Sequence, residues 1–297
     1  MSNLSGGQIN AYVNDIIQLS RPANLLLPLI QVWAGYLLIN NAPWQYAPLE
    51  FYTVLVCLVL IHSSFTILND FVDRDIDIDN KVESAITTKT SAYRHRLLLI
   101  TIGMVILSCA CLMFVSTNAL WLILAEILLS TAYNMHPLRF SVRPIASIIT
   151  LGVTYSLIPF LLGVVAAGGT ISWNILLLAS CWAFVRMSIS ILKDFKDKIG
   201  DKKHNKRTFL LVFGDRLTRR TSSVLSLVGI VGIAFFLYPF ITESLQMLYI
   251  LVSVAVIGVF LKERLAILST NTPKMSFEYF LRTQLLYDIY FMVWIIL

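Results

Sequence analysis

The sequence predicts an all-α, polytopic membrane protein, and three observations carry that prediction. The 297-residue chain is 57% hydrophobic and only 13% charged, with a mean hydropathy of +0.76, whereas a soluble domain carries about 25% charged residues. Apolar runs long enough to cross a bilayer recur from end to end. Of the 23 Lys and Arg, 21 fall outside those runs. Irregular backbone is excluded from lipid, so adjacent spans of this kind imply a helical bundle.

Nine runs are expected to span: 24–41, 50–69, 97–115, 117–133, 144–166, 172–192, 221–241, 245–261 and 278–297. Before them, residues 1–20 lack a basic start followed by an apolar core, so no signal peptide is expected. They read as a short interfacial helix with Ile9, Val13, Ile16 and Ile17 on one side. Every Lys and Arg outside the spans lies in the N-terminal segment or an even-numbered loop, and the odd-numbered loops carry none. The positive-inside rule then puts the N-terminus and the even loops in the cytoplasm and the C-terminus on the far side. A bacterial chain of this kind would sit in the plasma membrane.

The net charge of +6 is thus a property of one membrane face, and no aromatic-interleaved basic patch or zinc spacing suggests nucleic acid. Cys57, Cys109, Cys111 and Cys181 all fall inside expected spans without metal-ligand spacing, as apolar packing residues do.

Acidic residues break the pattern. The stretch Asn69–Asn80, NDFVDRDIDIDN, closes the second span with five aspartates in ten residues. Asp70, Asp73 and Asp77 are spaced i, i+3, i+7. At the end of the sixth span Asp194, Asp197 and Asp201 repeat that spacing, each 124 residues on from its counterpart. On a helix this spacing puts three carboxylates on one face. The chain therefore reads as two similar four-helix halves plus one terminal helix, each half ending in an acidic cytoplasmic segment. Aspartate is a weak helix former, and solvated loops usually mix it freely with Glu. Carboxylates so placed suit Mg²⁺ bound jointly with substrate phosphates.

Four motifs then carry a resemblance. NDFVDRDID is similar to NDxxDxxxD, KDFKDKIGDKK to DxxDxxGD, SRPANLL to an RPxN helix entry, and AYNMHPLRFSVRP to YSxPPxRxK. Together, in order and on the expected cytoplasmic side, they resemble the UbiA superfamily of intramembrane prenyltransferases. The last motif points to the branch that prenylates homogentisate, naphthoates and chlorophyllides. The resemblance covers nearly the whole chain and implies nine helices around a central cavity, with Mg²⁺-dependent transfer of an isoprenyl chain from its diphosphate. It implies two ions, one held by Asn69, Asp70, Asp73 and Asp77, the other by Asp194, Asp197 and Asp201. The chain departs from the pattern where Ser84, Ala85 and Lys89 replace an Arg-Pro pair and a Gly, and where His136 and Ser141 replace a Pro and a Lys.

A prenyl diphosphate leaves as an anion of about three charges, so its ionisation requires cations around the departing oxygens. Lys193, Arg139, Arg143, Lys206 and Arg207 are available, and Lys81, four residues after Asp77, would share the acidic face. Tyr133, ending the fourth span, offers a ring face to a cation or a hydroxyl to phosphate. Asn24, in the RPxN-like segment, is a site amide by resemblance and a helix-start residue by propensity. Glu126, Arg186, Arg282 and Asp288 are charged residues inside spans, where charge is costly and marks a site. Arg186 is a substrate contact in this reading with Glu126 as its partner, or the two form a structural ion pair between helices. Arg282 and Asp288, six apart, point to different faces and make a weaker case, and His62, His95 and His204 lie in no ligand pattern.

The sequence thus favours one membrane-embedded domain over 1–297, with cap segments 70–96 and 193–220, that prenylates an aromatic acceptor. Prenylation of a glycerol phosphate and terpene cyclisation on the same scaffold are alternatives. A lipid transporter or binding protein is the non-enzymatic alternative, but transporters concentrate charge and broken helices at mid-membrane.

Overall fold

A computed structural model describes residues 6–40, 47–79, 82–269, 289–291 and 293–296. Every regular element among them is helical. The order is α1 (Gly6–Leu19), α2 (Pro22–Ile39), α3 (Leu49–Val72), α4 (Arg74–Asp79), α5 (Ala85–Thr88), α6 (Ser91–Val115) and α7 (Thr117–Asn134). Then come α8 (Pro144–Gly152), a π-helical stretch (Val153–Leu157), α9 (Ile158–Ala166), α10 (Trp173–Lys203), α11 (Phe209–Leu237) and α12 (Glu243–Ser269).

Seven helical segments among the described residues are long and apolar enough to cross a membrane: α2, α3, α6, the α8–α9 rod, α10, α11 and α12. The expected fourth span is present as α7, an 18-residue helix whose Glu126 and terminal Asn residues dilute its apolar character. Most of the expected ninth span, with Arg282 and Asp288, lies outside the described residues.

Local chemistry sets the boundaries. Thr90, Ser116 and Ser172 cap α6, α7 and α10, each hydroxyl accepting from the N–H three residues on. Pro22 and Pro144 open α2 and the α8–α9 rod, where a missing N–H costs nothing.

Packing between helices relies on small residues that let backbones approach. A Cβ on Gly35 would overlap the Phe160 carbonyl oxygen, and one on Gly163 that of Val32, so α2 and α9 lie backbone to backbone. Gly229 and Gly232 admit Cys181 and Val185 in the same way where α11 meets α10. Two large clusters result, one around Trp182, Phe160 and Tyr249, the other around Tyr36, Phe51 and Leu58. On the outside Phe114 is 84% exposed, Trp173 78% and Met247 71%, which suits a lipid-facing surface and not water.

The departure at Ser84-Ala85 has a structural explanation. Ser84 caps α5 through a reciprocal box with Thr87. Ala85 and Ile86 are buried against Tyr12, Leu19, Ile67 and Leu97, which ties α1 to the bundle.

Candidate active site

The second acidic triplet sits on one unbroken helix. α10 has 31 residues, about 46 Å at 1.5 Å per residue, while a bilayer's hydrocarbon core is about 30 Å. Its last turns therefore project beyond the apolar layer and carry Asp194, Asp197 and Asp201 with them. The first triplet differs from the continuous helix its spacing suggests. α3 stops at Val72, Asp73 caps it, and α4 begins at Arg74. Backbone bonds from Asp73 N–H to the Asn69 carbonyl and from Asp77 N–H to the Asp73 carbonyl, both 2.9 Å, keep the turn helical across the break. Asp70, Asp73 and Asp77 thus stay near one another.

α4 packs against α10, which sets the triplets face to face. Asp77 lies within electrostatic reach of Asp73 and Asp197, and Asp201 within reach of Asp197 and Asp73. Burial pushes the Asp77 and Asp201 carboxyls above the usual range, and the neighbouring carboxylates add to that rise. The cations around them offset part of it.

Three cations meet the acids directly. Lys206 Nζ is 3.0 Å from Asp73 Oδ2 and 3.8 Å from Asp201 Oδ1, so it bridges the two triplets. Arg139 Nη2 donates to Asp73 Oδ1 at 2.9 Å, and Arg21 Nη2 to Asp70 Oδ1 at 2.7 Å. Burial alone would raise Asp73, but Lys206 and Arg139 outweigh it and hold the carboxyl below its usual range. Burial works against the Lys206 charge, yet Asp73, Tyr133 and Asp201 raise its ammonium above its ordinary value. Arg21 and Arg139 both have left-handed backbones, with φ of 50° and 34°. Non-glycine residues rarely adopt this conformation outside constrained or functional positions.

Beside the triplets lies an open cleft lined by Tyr133, Ser141, Leu151, Ser190, Lys193, Asp194, Asp197, Asp201 and Lys206, among others. Among the expected residues, the structure brings together Asp70, Asp73, Asp77, Asp194, Asp197, Asp201, Tyr133, Arg139 and Lys193. Asn69 stands one residue before Asp70 and donates from Nδ2 to Asn134 Oδ1 at 2.9 Å.

Three expected contacts are not brought to the carboxylates. Asn24 is exposed in the first turn of α2, whose N-cap position is held by Arg21. Arg143 is exposed, turned to the Pro137 carbonyl and the Phe140 ring. Arg207 is exposed beside the inward Lys206. Lys81 lies outside the described residues.

The structure gives the in-span charges contacts that the sequence did not point to. Glu126 meets His62, with Nε2 to Oε1 at 2.9 Å, while Arg186 lies over the Tyr155 ring, 4.6 Å from its centroid. Spacing along one helix does not specify rotation about its axis, so it could not choose between these partners. The sequence motifs assign Arg21 no contact although it belongs to the RPxN-like segment. Its partner Asp70 is 49 residues away, and only the arginine's place before a helix-opening proline signals it. His204, also unassigned, joins Lys203 on Asp79 and links the cap segments at their exposed edge.

An all-helical membrane bundle with two facing acidic segments at one end is the architecture of an intramembrane prenyltransferase. The UbiA prenyltransferase family model matches residues 29–289, and the chain belongs to that family. It is 26% identical over 253 residues to the digeranylgeranylglyceryl phosphate synthase of Korarchaeum cryptofilum (strain OPF8), covering 84% of this chain and 83% of that protein. A solved UbiA homolog from Archaeoglobus fulgidus, bound to DMAPP and Mg²⁺, superposes with a TM-score of 0.71 at 18% identity, over 95% of this chain and 99% of that one. A solved digeranylgeranylglyceryl phosphate synthase gives the same TM-score and identity over 96% and 99%. The protein is a multi-pass membrane prenyltransferase.

Proposed function

We propose that the protein transfers an isoprenyl chain from a prenyl diphosphate to the free hydroxyl of an isoprenyl glycerol phosphate, with Mg²⁺ at the carboxylate cleft. The observation that carries the transfer is the convergence of both aspartate triplets on Lys206. The glycerol phosphate acceptor is supported by the Korarchaeum relative, whose name describes a glycerol phosphate bearing two geranylgeranyl chains. The same name suggests geranylgeranyl diphosphate as donor.

The residues present fit the metal. Among the described residues no three His, Cys, Asp or Glu side chains enclose an ion by themselves. Mg²⁺ is characteristically held by one or two carboxylates together with substrate phosphates, not in an all-protein cage. Asn69, Asp70, Asp73 and Asp77 would hold one ion, and Asp194, Asp197 and Asp201 a second. When bound, the ions supply positive charge against the departing diphosphate oxygens. The protein's own groups do the rest. Lys206 and Arg139, half-buried beside Asp73, present charged donors to phosphate. Lys193 adds a cation at the cleft's edge. Tyr133 lies close to Lys206 and presents its ring or hydroxyl to the cleft.

We read the chain as one domain of nine helices, with the N-terminus and both acidic segments on the cytoplasmic side. The 21 cationic residues on one face of the expected topology support that orientation.

Aromatic prenylation is the second reading, favoured by the YSxPPxRxK-like segment at 132–144, of which Tyr133 and Arg139 lie at the site. Competition decides between them. Detergent-solubilised protein would receive labelled geranylgeranyl diphosphate with geranylgeranylglyceryl phosphate and homogentisate in equal amounts. The proposal requires the ether lipid as main product. A prenylated ring favours the second reading, and a hydrocarbon or prenyl alcohol alone would mean cyclisation or hydrolysis.

A further inference from the structure

Two helical turns beneath the carboxylates, four elements bring polar side chains to one level. His62 stands seven residues before Asn69 on α3, Glu126 eight before Asn134 on α7, and Arg186 eight before Asp194 on α10. The steps correspond to about 10–12 Å along each axis. Asn69 and Asn134 join α3 and α7 at the upper level. His62 and Glu126 join the same two helices at the lower level, at 2.9 Å. Tyr155 comes from the π-helical stretch, a rare insertion that concentrates at functional sites. Its ring stands edge-on to that of His62, with 4.8 Å between centroids, and carries Arg186 on its face. Leu151 and Ser190, both lining the cleft, stand one turn above Tyr155 and Arg186, so this polar layer lies directly under the cleft.

Glu126 is 1% exposed, and its Oε2 has no hydrogen-bond partner. A carboxylate oxygen buried at membrane depth without a donor is costly. His62 Nε2 stands 2.9 Å from the other oxygen, Oε1, as an ion-pair contact across the bundle and makes no hydrogen bond there. The group suited to Oε2 is one that arrives with substrate and carries a hydrogen to donate. A prenyl diphosphate held by its phosphates at the triplets points its reacting carbon and its chain into the bundle, toward this layer.

We propose that Glu126 is the base of the transfer, receiving the proton of the acceptor's hydroxyl group, and that His62 is a positioning residue holding it. The proposal rests on the prenyl-transfer reading above. The bond from the allylic carbon to the diphosphate oxygen breaks, and its electron pair leaves with pyrophosphate. The acceptor oxygen bonds to that carbon, and its proton passes to Glu126 Oε2. An alcohol is too weak a nucleophile to keep its proton through this step, and a positioned base contributes typically 10²–10⁴-fold.

The test uses the full chain in detergent with Mg²⁺, geranylgeranyl diphosphate and geranylgeranylglyceryl phosphate. Glu126→Gln keeps the shape of the side chain and loses the base. Ether formation should fall about a hundredfold or more in kcat. Binding of an unreactive geranylgeranyl thiodiphosphate, read by thermal shift, should stay within about twofold, which also reports folding. Glu126→Asp, still a base, should lie between wild type and Gln. His62→Asn should lower kcat by about tenfold and displace the ascending limb of the pH–rate profile, the other polar groups facing the pair being Tyr155 and Arg186. A Gln variant within threefold of wild-type kcat would overturn the assignment, as would loss of analogue binding in parallel with activity. A wild type that releases pyrophosphate without forming an ether sinks the transfer reading itself, a result the variants cannot mimic.

Discussion

Replacing Lys206 with methionine removes one charge and keeps the stem. In the structure Lys206 is 15% exposed at its side chain, with Asp73 at 8% and Asp201 at 5%, so solvent screens these contacts little. Lys193 acts on Asp70 and Asp194 from a longer range, and among the described ion pairs Lys206 is the cation that touches both triplets. A charge-assisted contact in such a place is worth about 1.5–3 kcal/mol, which is roughly ten- to a hundredfold in affinity at about 1.4 kcal/mol per decade. Arg139 remains on Asp73 in the variant, so the cap keeps part of its neutralisation. The assay is steady-state transfer with the donor varied at saturating Mg²⁺ and acceptor. Lys206→Met should raise the donor KM by about ten- to a hundredfold, and Lys206→Arg should recover most of the loss. A donor KM within twofold of wild type for Lys206→Met would refute the reasoning and leave the diphosphate to Arg139, Lys193 or Lys81.

Two further outcomes follow from particular contacts. Asp70→Ala or Asp194→Ala should abolish product while the protein remains in the membrane fraction. Asp79→Ala, which removes only an exposed link to Lys203 and His204, should keep kcat/KM within about threefold; equal damage at Asp79 would undo the assignment of roles. Gly163→Val should cost folded yield on size-exclusion chromatography, because its side chain would meet the Val32 backbone, whereas Gly103→Ala, with nothing within 4 Å, should not. Equal yields would show that the α2–α9 approach is not tight.

Hydropathy located the helices well because lipid imposes length and apolarity on each span separately. The expected 172–192 span is the apolar part of α10, whose helix continues to Lys203 because the triplet and its lysines are themselves helical. The duplicated aspartates were legible because spacing on one chain segment is a local property. The break at Asp73 was not, since Asp77 still bonds back to the Asp73 carbonyl and the helical register survives it. Partners across helices were the illegible part. Arg21 to Asp70, Lys206 to Asp73 and His62 to Glu126 join residues 49, 133 and 64 apart, and only the packing angles of the bundle decide such meetings. Ser84 illustrates the same limit, since a residue that looked like a lost arginine is a helix cap over a buried Ile86.

The central claim is metal-dependent prenyl transfer at the carboxylate cleft. The most direct measurement follows labelled geranylgeranyl diphosphate with geranylgeranylglyceryl phosphate through pyrophosphate release and product mass, in chelator and then with Mg²⁺ restored. The account predicts no turnover in chelator, and with Mg²⁺ one pyrophosphate released for each diether formed. Full turnover in excess chelator, or pyrophosphate release with a hydrocarbon as the sole organic product, would contradict it.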